Sequence, residues 1–255
     1  MSTFEYKNYH SWFLSYVSRF SSQDDKIQIN MDLKEQHTYR VVQNIEILGQ
    51  VYLKTTYEQQ LAKIIALFHD IGRFEQFKRF KTFNDKVSIN HAELGIEILL
   101  EEKILSNLTN NEQKIILTAI NNHNKREIEA VTSEEEIYCK LIRDADKLDI
   151  WQVVVENYED PTTNDSVLIL DLPKEERISD EVLASFYKKK SVSFDKVQTV
   201  SDLKLLQLSW LFDLNFKKSK VLAKDRMLIV RILKTLPESE TKQTISDILL
   251  SELMN

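Results

Sequence analysis

The chain has 255 residues, of which 42% are hydrophobic, and its formal net charge at pH 7 is -6. With only three glycines and three prolines, it lacks the turn residues that a protein built from many β-hairpins needs. A negative charge without a concentrated basic face gives no sign of nucleic-acid binding, and a single cysteine excludes an internal disulfide and a multi-cysteine zinc site.

The spacing of apolar residues predicts an all-α protein. Helices are predicted near residues 9–20, 32–52, 57–70, 90–102, 111–123 and 133–152, and again near 180–188, 201–215, 223–236 and 241–254. None of them includes residues 73–86, whose phenylalanines recur every third residue and are expected to attach that segment to the core. A base-stacking platform is the alternative. A polar stretch, residues 157–166, separates the two groups of helices. We therefore expect residues 1–156 to form a helical core and residues 157–255 a C-terminal helical subregion packed on it, within one compact domain.

The chain offers no targeting or membrane signal. Its N-terminus lacks a basic segment followed by a long apolar run, and no uncharged apolar stretch approaches the roughly 18 residues of a spanning helix. We expect a cytoplasmic protein without a membrane partner.

Four of the five histidines fall on the apolar face of a predicted helix, namely His37, His69, His91 and His123. Each buried polar group needs a partner of its own. Core histidines that are hydrogen-bonded one by one are the alternative, but a shared metal site would satisfy all four together.

A later helix, IYCKLIRDADKLDIWQ, alternates aspartates with apolar residues, so at least one carboxylate is expected to face the interior. Asp146 shares a stripe with Cys139 and Ile142 and is the first choice, while Asp144 is the second. An exposed acidic ridge that pairs with nearby lysine and arginine is the alternative.

His69 and Asp70 stand at the end of an apolar run in ALFHDIGRFEQF. Adjacent residues of a helix point in different directions, so both side chains can reach one site only where the helix ends. Gly72 is expected to allow a sharp exit of the chain at that point.

The order of these residues, with the segments FHDIGRF, HAELG, NNHN and DADKLD, resembles the HD superfamily of metal-dependent phosphohydrolases, which are all-helical. The resemblance covers residues 36–152. It implies that one divalent metal ion is held by His37, His69, Asp70 and Asp146. It also implies that Asp70 bridges to a second ion in two-metal members, where His91 and His123 are the added ligands.

Such ligands suit manganese, iron, nickel or zinc, with magnesium as a further candidate. Two metal ions can activate a water for in-line attack at phosphorus. The expected activity is hydrolysis of a phosphate monoester or diester, with a nucleotide as the first candidate among small phosphorylated substrates. Arg73 is expected to contact the substrate phosphate, because related cyclic-dinucleotide phosphodiesterases have a basic residue there, and Lys147 is a second candidate for that role. A surface salt bridge and a surface lysine are the alternatives.

Two other functions stay open at this point. A one-metal nucleotidase would leave His91 and His123 for the substrate, and a nucleotide-sensing or interaction module would carry a relict site. Substrate identity, metal identity and oligomeric state do not follow from the sequence.

Overall fold

The structure is a computed structural model that describes residues 5–129, 131–160, 168–170 and 172–254. These residues form helices joined by turns and loops, with no strand among them, so the all-α prediction is confirmed. Among the described helices, none combines the length and the apolar character needed to span a bilayer.

The chain divides into two compact units, Met1–Asp146 and Lys147–Asn255. Helix α7 (Ser133–Glu159) contributes residues to both. The other helices of the first unit are α1 (Tyr6–Ser18), α2 (Asp25–Tyr52), α3 (Thr56–Phe68), α4 (Gly72–Phe80), α5 (His91–Glu101) and α6 (Asn110–His123). Those of the second are α8 (Asp180–Tyr187), α9 (Val200–Ser209), α10 (Lys217–Asp225), α11 (Leu228–Lys234) and α12 (Glu240–Met254).

The division into residues 1–156 and 157–255 within one compact domain stays a prediction. Residues 161–166 of the polar stretch proposed as the boundary lie outside the described residues.

Side-chain caps explain where several helices of the first unit begin. Thr55 and Thr109 each form a capping box with the glutamate three residues later, and Asn90 caps α5 through the backbone N–H groups of Ala92 and Glu93. Helix α2 begins seven residues earlier than predicted, because the Asp24 carboxylate accepts hydrogen bonds from two backbone N–H groups of its first turn.

Helix α4 was not predicted as a helix, and the role expected of Gly72 is wrong. The chain leaves the helical pattern only briefly after α3, and Gly72 is the first residue of α4, without the positive φ of a glycine that ends a helix. A Cβ atom on Gly72 would lie 2.2 Å from the His91 carbonyl oxygen and 2.7 Å from the Gly95 nitrogen. Gly72 is therefore needed for the close approach of α4 to α5.

Aromatic side chains form much of the core of the first unit. Phe13 of α1, Phe68 of α3 and Phe74 of α4 are fully buried, and the Phe13 and Phe74 rings meet edge-on. Phe77 is buried as well, whereas Phe80 is exposed, so the segment after Asp70 is attached to the core through part of its phenylalanines. Helix α2 packs on α3 and α4, α4 on α5, and α5 on α6, which brings the histidine-bearing helices together.

The second unit has its own apolar core around Trp151, which is fully buried and donates its indole N–H to the Gln207 carbonyl oxygen at 2.8 Å. The leucine-rich stretch of residues 201–219 contributes Leu205, Leu206, Leu208 and Leu211 to it.

Candidate metal centre

The first group of site residues comes from three helices. His37 lies in the middle of α2, and His69 directly follows α3. Their Nε2 atoms are 3.2 Å apart. Asp146 of α7 places Oδ1 3.2 Å from Nε2 of His37 and 3.7 Å from Nε2 of His69. Of the two aspartates considered from the sequence, Asp146 contacts these imidazoles through its carboxylate, and Asp144 is fully buried in the same helix.

The second group consists of two histidines, one at the start of a helix and one at the end of another. His91 is the first residue of α5 and His123 is the last residue of α6. Their Nε2 atoms are 3.0 Å apart, and both side chains are buried.

Asp70 lies between the two groups and turns one carboxylate oxygen toward each. Its Oδ2 is 3.5 Å from Nε2 of His37 and 3.8 Å from Nε2 of His69. Its Oδ1 is 3.2 Å from Nε2 of His91 and 3.7 Å from Nε2 of His123. One carboxylate is therefore shared by two pairs of imidazoles.

Hydrogen bonds on the far side of the rings decide which nitrogen carries the proton. Nδ1 of His69 is 2.8 Å from the Ala66 carbonyl oxygen, and Nδ1 of His123 is 2.6 Å from that of Ile120. A carbonyl oxygen only accepts, so Nδ1 is the donor in both rings and Nε2 of the neutral ring presents a lone pair to the site. This arrangement is typical of metal-ligating histidines.

Neighbouring charges keep the Asp70 carboxylate ionised although it is buried. Burial alone would raise its pKa, but Lys34, the adjacent His69 imidazole and Arg73 outweigh burial and hold the pKa well below the usual range. Lys34 Nζ is 2.8 Å from Oδ2, and Arg73 Nε is 3.5 Å from Oδ1. A carboxylate held in this state suits a cation.

The pKa values of two other site residues are shifted in directions that favour ligation. The pKa of Asp146 also lies well below its usual range, because its contacts with His37 and His69 outweigh the effect of burial. The pKa of His91 is lowered by burial and then by the charge of Arg73, which favours the neutral imidazole that metal ions require.

Two side chains at the site were not predicted from the sequence. Lys34 precedes His37 by one helical turn, so helical spacing would have put both on one face. Asp85 accepts a hydrogen bond from Nδ1 of His91 at 2.7 Å. It lies in a one-turn 3-10 helix, Asp85–Val87, where no periodicity marks its partner.

The two predicted phosphate contacts have partners of their own. Nη1 of Arg73 donates to the Gln76 side chain, to the Phe83 carbonyl oxygen and to Oδ1 of Asp85 at 2.9 Å. Lys147 belongs to the second unit, where its ammonium group contacts the carboxylate of Asp213. A direct role of either side chain toward substrate stays a prediction.

The donor set fits a divalent transition metal. Four imidazole Nε2 atoms and two ionised carboxylates are borderline to hard ligands, which suit manganese, iron, nickel or zinc. Two overlapping groups have ligand atoms within 4.8 Å of one another, the first with His37, His69 and Asp70 and the second with Asp70, His91 and His123. These groups could each hold a metal ion.

The model of the HD domain family matches residues 35–151, which include every predicted metal ligand. No curated protein and no solved structure matches the chain. Together with the all-helical fold and the order of its histidines and aspartates, this match identifies residues 35–151 as an HD domain.

Proposed function

We propose that the protein is a two-metal phosphohydrolase that cleaves a small phosphate monoester or diester, with nucleotides as the first substrate class to test. The observation that carries the proposal is the shared carboxylate of Asp70, whose two oxygens each face a separate pair of imidazoles. A carboxylate can bridge two ions in this way, whereas an imidazole cannot.

The ligands divide into two sets. His37, His69, Asp146 and Oδ2 of Asp70 would hold one ion, and His91, His123 and Oδ1 of Asp70 would hold the other. Divalent cations at such a site polarise phosphoryl oxygens and supply a nucleophilic water at neutral pH.

The lone pairs of the second histidine pair support the need for a cation there. Nδ1 of His123 donates to a carbonyl oxygen and Nδ1 of His91 faces the Asp85 carboxylate, so the neutral rings turn two Nε2 lone pairs toward each other at 3.0 Å. Such lone pairs repel unless a positive charge lies beside them. An ion on this side would satisfy both rings and Oδ1 of Asp70.

The charged side chains at the site suit an anionic substrate. The imidazoles are nearly fully buried, whereas Lys34, Arg73 and Asp146 each keep about 15% of their side-chain surface exposed. Two of these three carry positive charge. In this proposal Lys34 and Arg73 offset the negative charge that the substrate phosphate brings next to Asp70.

A panel of nucleoside monophosphates, triphosphates and cyclic diesters, incubated with added Mn²⁺, tests the activity by phosphate release. Asp70→Asn is expected to lower the rate to the level without protein, because the amide cannot supply two anionic oxygens. Asp32→Asn makes the same chemical change at an exposed position of α2 and should keep the wild-type rate. Full activity of Asp70→Asn would refute the proposal.

Metal counting separates this proposal from the one-metal alternative. Elemental analysis after removal of excess Mn²⁺ is expected to find two ions per chain, whereas a mononuclear nucleotidase would retain one. A chain that binds nucleotide but neither retains metal nor releases phosphate would be the non-catalytic module.

A further inference from the structure

The four imidazoles of the site are not oriented in the same way. His69 and His123 donate from Nδ1 to the carbonyl oxygens of Ala66 and Ile120, three residues earlier in the chain. These carbonyls belong to the last turns of α3 and α6, where backbone acceptors are left without helical donors. A histidine at a helix C-terminus thus finds its orienting acceptor in its own helix.

His91 has no such acceptor within its helix, because it is the first residue of α5. The N-terminal turn of a helix exposes N–H groups rather than carbonyl oxygens. Its Nδ1 is instead 2.7 Å from Oδ2 of Asp85, six residues earlier. The carboxylate of Asp85 thus accepts the hydrogen bond from Nδ1 of His91, as backbone carbonyl oxygens do for His69 and His123.

The carboxylate of Asp85 is itself held from the other side. Its Oδ1 accepts from Nη1 of Arg73 at 2.9 Å and from Nε2 of Gln76 at 2.8 Å. Gln76 is fully buried, and its amide also donates to Ser88 and to the Ile89 carbonyl oxygen. Helix α4 therefore fixes both the carboxylate and the segment that leads into α5.

We propose that Asp85 is a positioning residue of the second metal subsite, which orients the Nε2 atom of His91 and is held in place by Arg73 and Gln76. This inference rests on the proposed two-metal function. Asp85 acts through His91 and contacts neither ion. Of the four imidazoles, His91 is the one that the described hydrogen bonds attach to Asp85, so the loss of Asp85 should weaken binding of the second ion and leave binding of the first nearly unchanged.

Asp85→Asn tests the proposal, because one amide cannot accept hydrogen bonds on both sides. If its oxygen faces His91, its NH₂ group faces the donors of Arg73 and Gln76, and if it is reversed the Nδ1–H of His91 loses its acceptor. Calorimetric titration with Mn²⁺ should show the affinity for the second ion lowered about 10- to 100-fold, the usual effect of losing an outer partner of a metal-ligating histidine. The affinity for the first ion should stay within about twofold of wild type.

Asp32→Asn is the matched control and should leave both affinities unchanged. Equal loss of both ions in Asp85→Asn, or wild-type binding of both, would overturn the inference. If the wild-type chain binds no second ion at all, the two-metal function fails instead, so the two failures are distinguishable.

A second measurement is made on the wild-type protein and does not depend on whether Asp85→Asn folds. A ¹⁵N spectrum of the imidazoles in the metal-free wild-type protein reports the tautomer of each ring, with the His91 signal assigned by its absence in His91→Gln. The proposal requires the proton of neutral His91 on Nδ1. A proton on Nε2 would overturn it.

Discussion

Replacement of Gly72 by alanine is the sharpest test of how α4 and α5 build the site. The new Cβ atom would lie 2.2 Å from the His91 carbonyl oxygen and 2.7 Å from the Gly95 nitrogen. Both are backbone atoms, so no side chain can rotate away. The first contact is at least 1.2 Å shorter than an ordinary van der Waals contact of 3.4 Å, so α5 must move by about 1 Å or more to relieve it.

The expected loss of folding stability in Gly72→Ala is that of an overpacked helix contact, which typically costs about 1–3 kcal/mol. For a chain of this size each kcal/mol lowers the melting temperature by about 2–4 °C, so we expect a decrease of about 2–12 °C. The same displacement moves His91 away from its partners, and a misplacement of about 1 Å can cost about 100-fold in rate. Binding of the second ion should therefore weaken together with stability.

Gly49→Ala provides a control with the opposite sign. Gly49 lies inside α2, and its Cβ would meet only the Leu53 and Gln59 side chains, at 3.5 and 3.7 Å. Alanine in a helix interior is favoured over glycine by about 0.5–1 kcal/mol, so this variant should melt slightly higher than wild type. Thermal unfolding followed by circular dichroism, with Mn²⁺ counted per chain, compares the two. A Gly72→Ala protein that melts at or above the wild-type temperature and retains two ions would show that the contact between α4 and α5 does not require a glycine.

Three further predictions concern other parts of the chain. Asp146→Asn should lower the affinity for the ion beside His37 at least about tenfold and leave the affinity for the second ion unchanged. Unchanged affinity for both ions in a Mn²⁺ titration would contradict this prediction. Burial lowers the pKa of Lys204 to about 8, so between pH 8 and 10.5 the unfolded chain binds more protons at this residue, and the contribution of Lys204 to stability should rise with pH. In urea unfolding at pH 7.5, 9 and 10.5, wild type should therefore gain stability relative to Lys204→Met as the pH rises, and a constant difference between the two proteins would exclude this. Phe13→Ala leaves a cavity at a fully buried position and should lower the free energy of unfolding, measured in urea, by about 3–5 kcal/mol. A loss below about 1 kcal/mol would be incompatible with the described core.

The helical class and the convergence of the histidines were predictable because both depend on spacing. A chain with few glycines and prolines lacks the turn residues of β-hairpins, which favours helices. Apolar residues at helical spacing place His37 on the inward face of its helix, whichever residues it contacts there. The adjacent pair His69 and Asp70 predicted a helix end, since both side chains reach one site only there. The structure has α3 end at that pair.

Contacts made through loops were not predictable in the same way. Asp85 contacts His91 because α4 packs against α5 and the loop between them lies beside the site. Helix α4 was not predicted because a short helix, buried through Phe74 and Phe77, has too few residues to show a clear helical periodicity. Gly72 was assigned the wrong role for a related reason. Its lack of a Cβ atom matters for a neighbour, Gly95, that is distant in sequence and close only in the folded chain.

Anomalous X-ray diffraction from Mn²⁺-loaded crystals shows directly whether Asp70 bridges two cations. We expect two manganese peaks about 3.5–4 Å apart, one beside Oδ2 with His37 and His69 and one beside Oδ1 with His91 and His123. A single peak, or peaks that lie away from Asp70, would contradict this expectation.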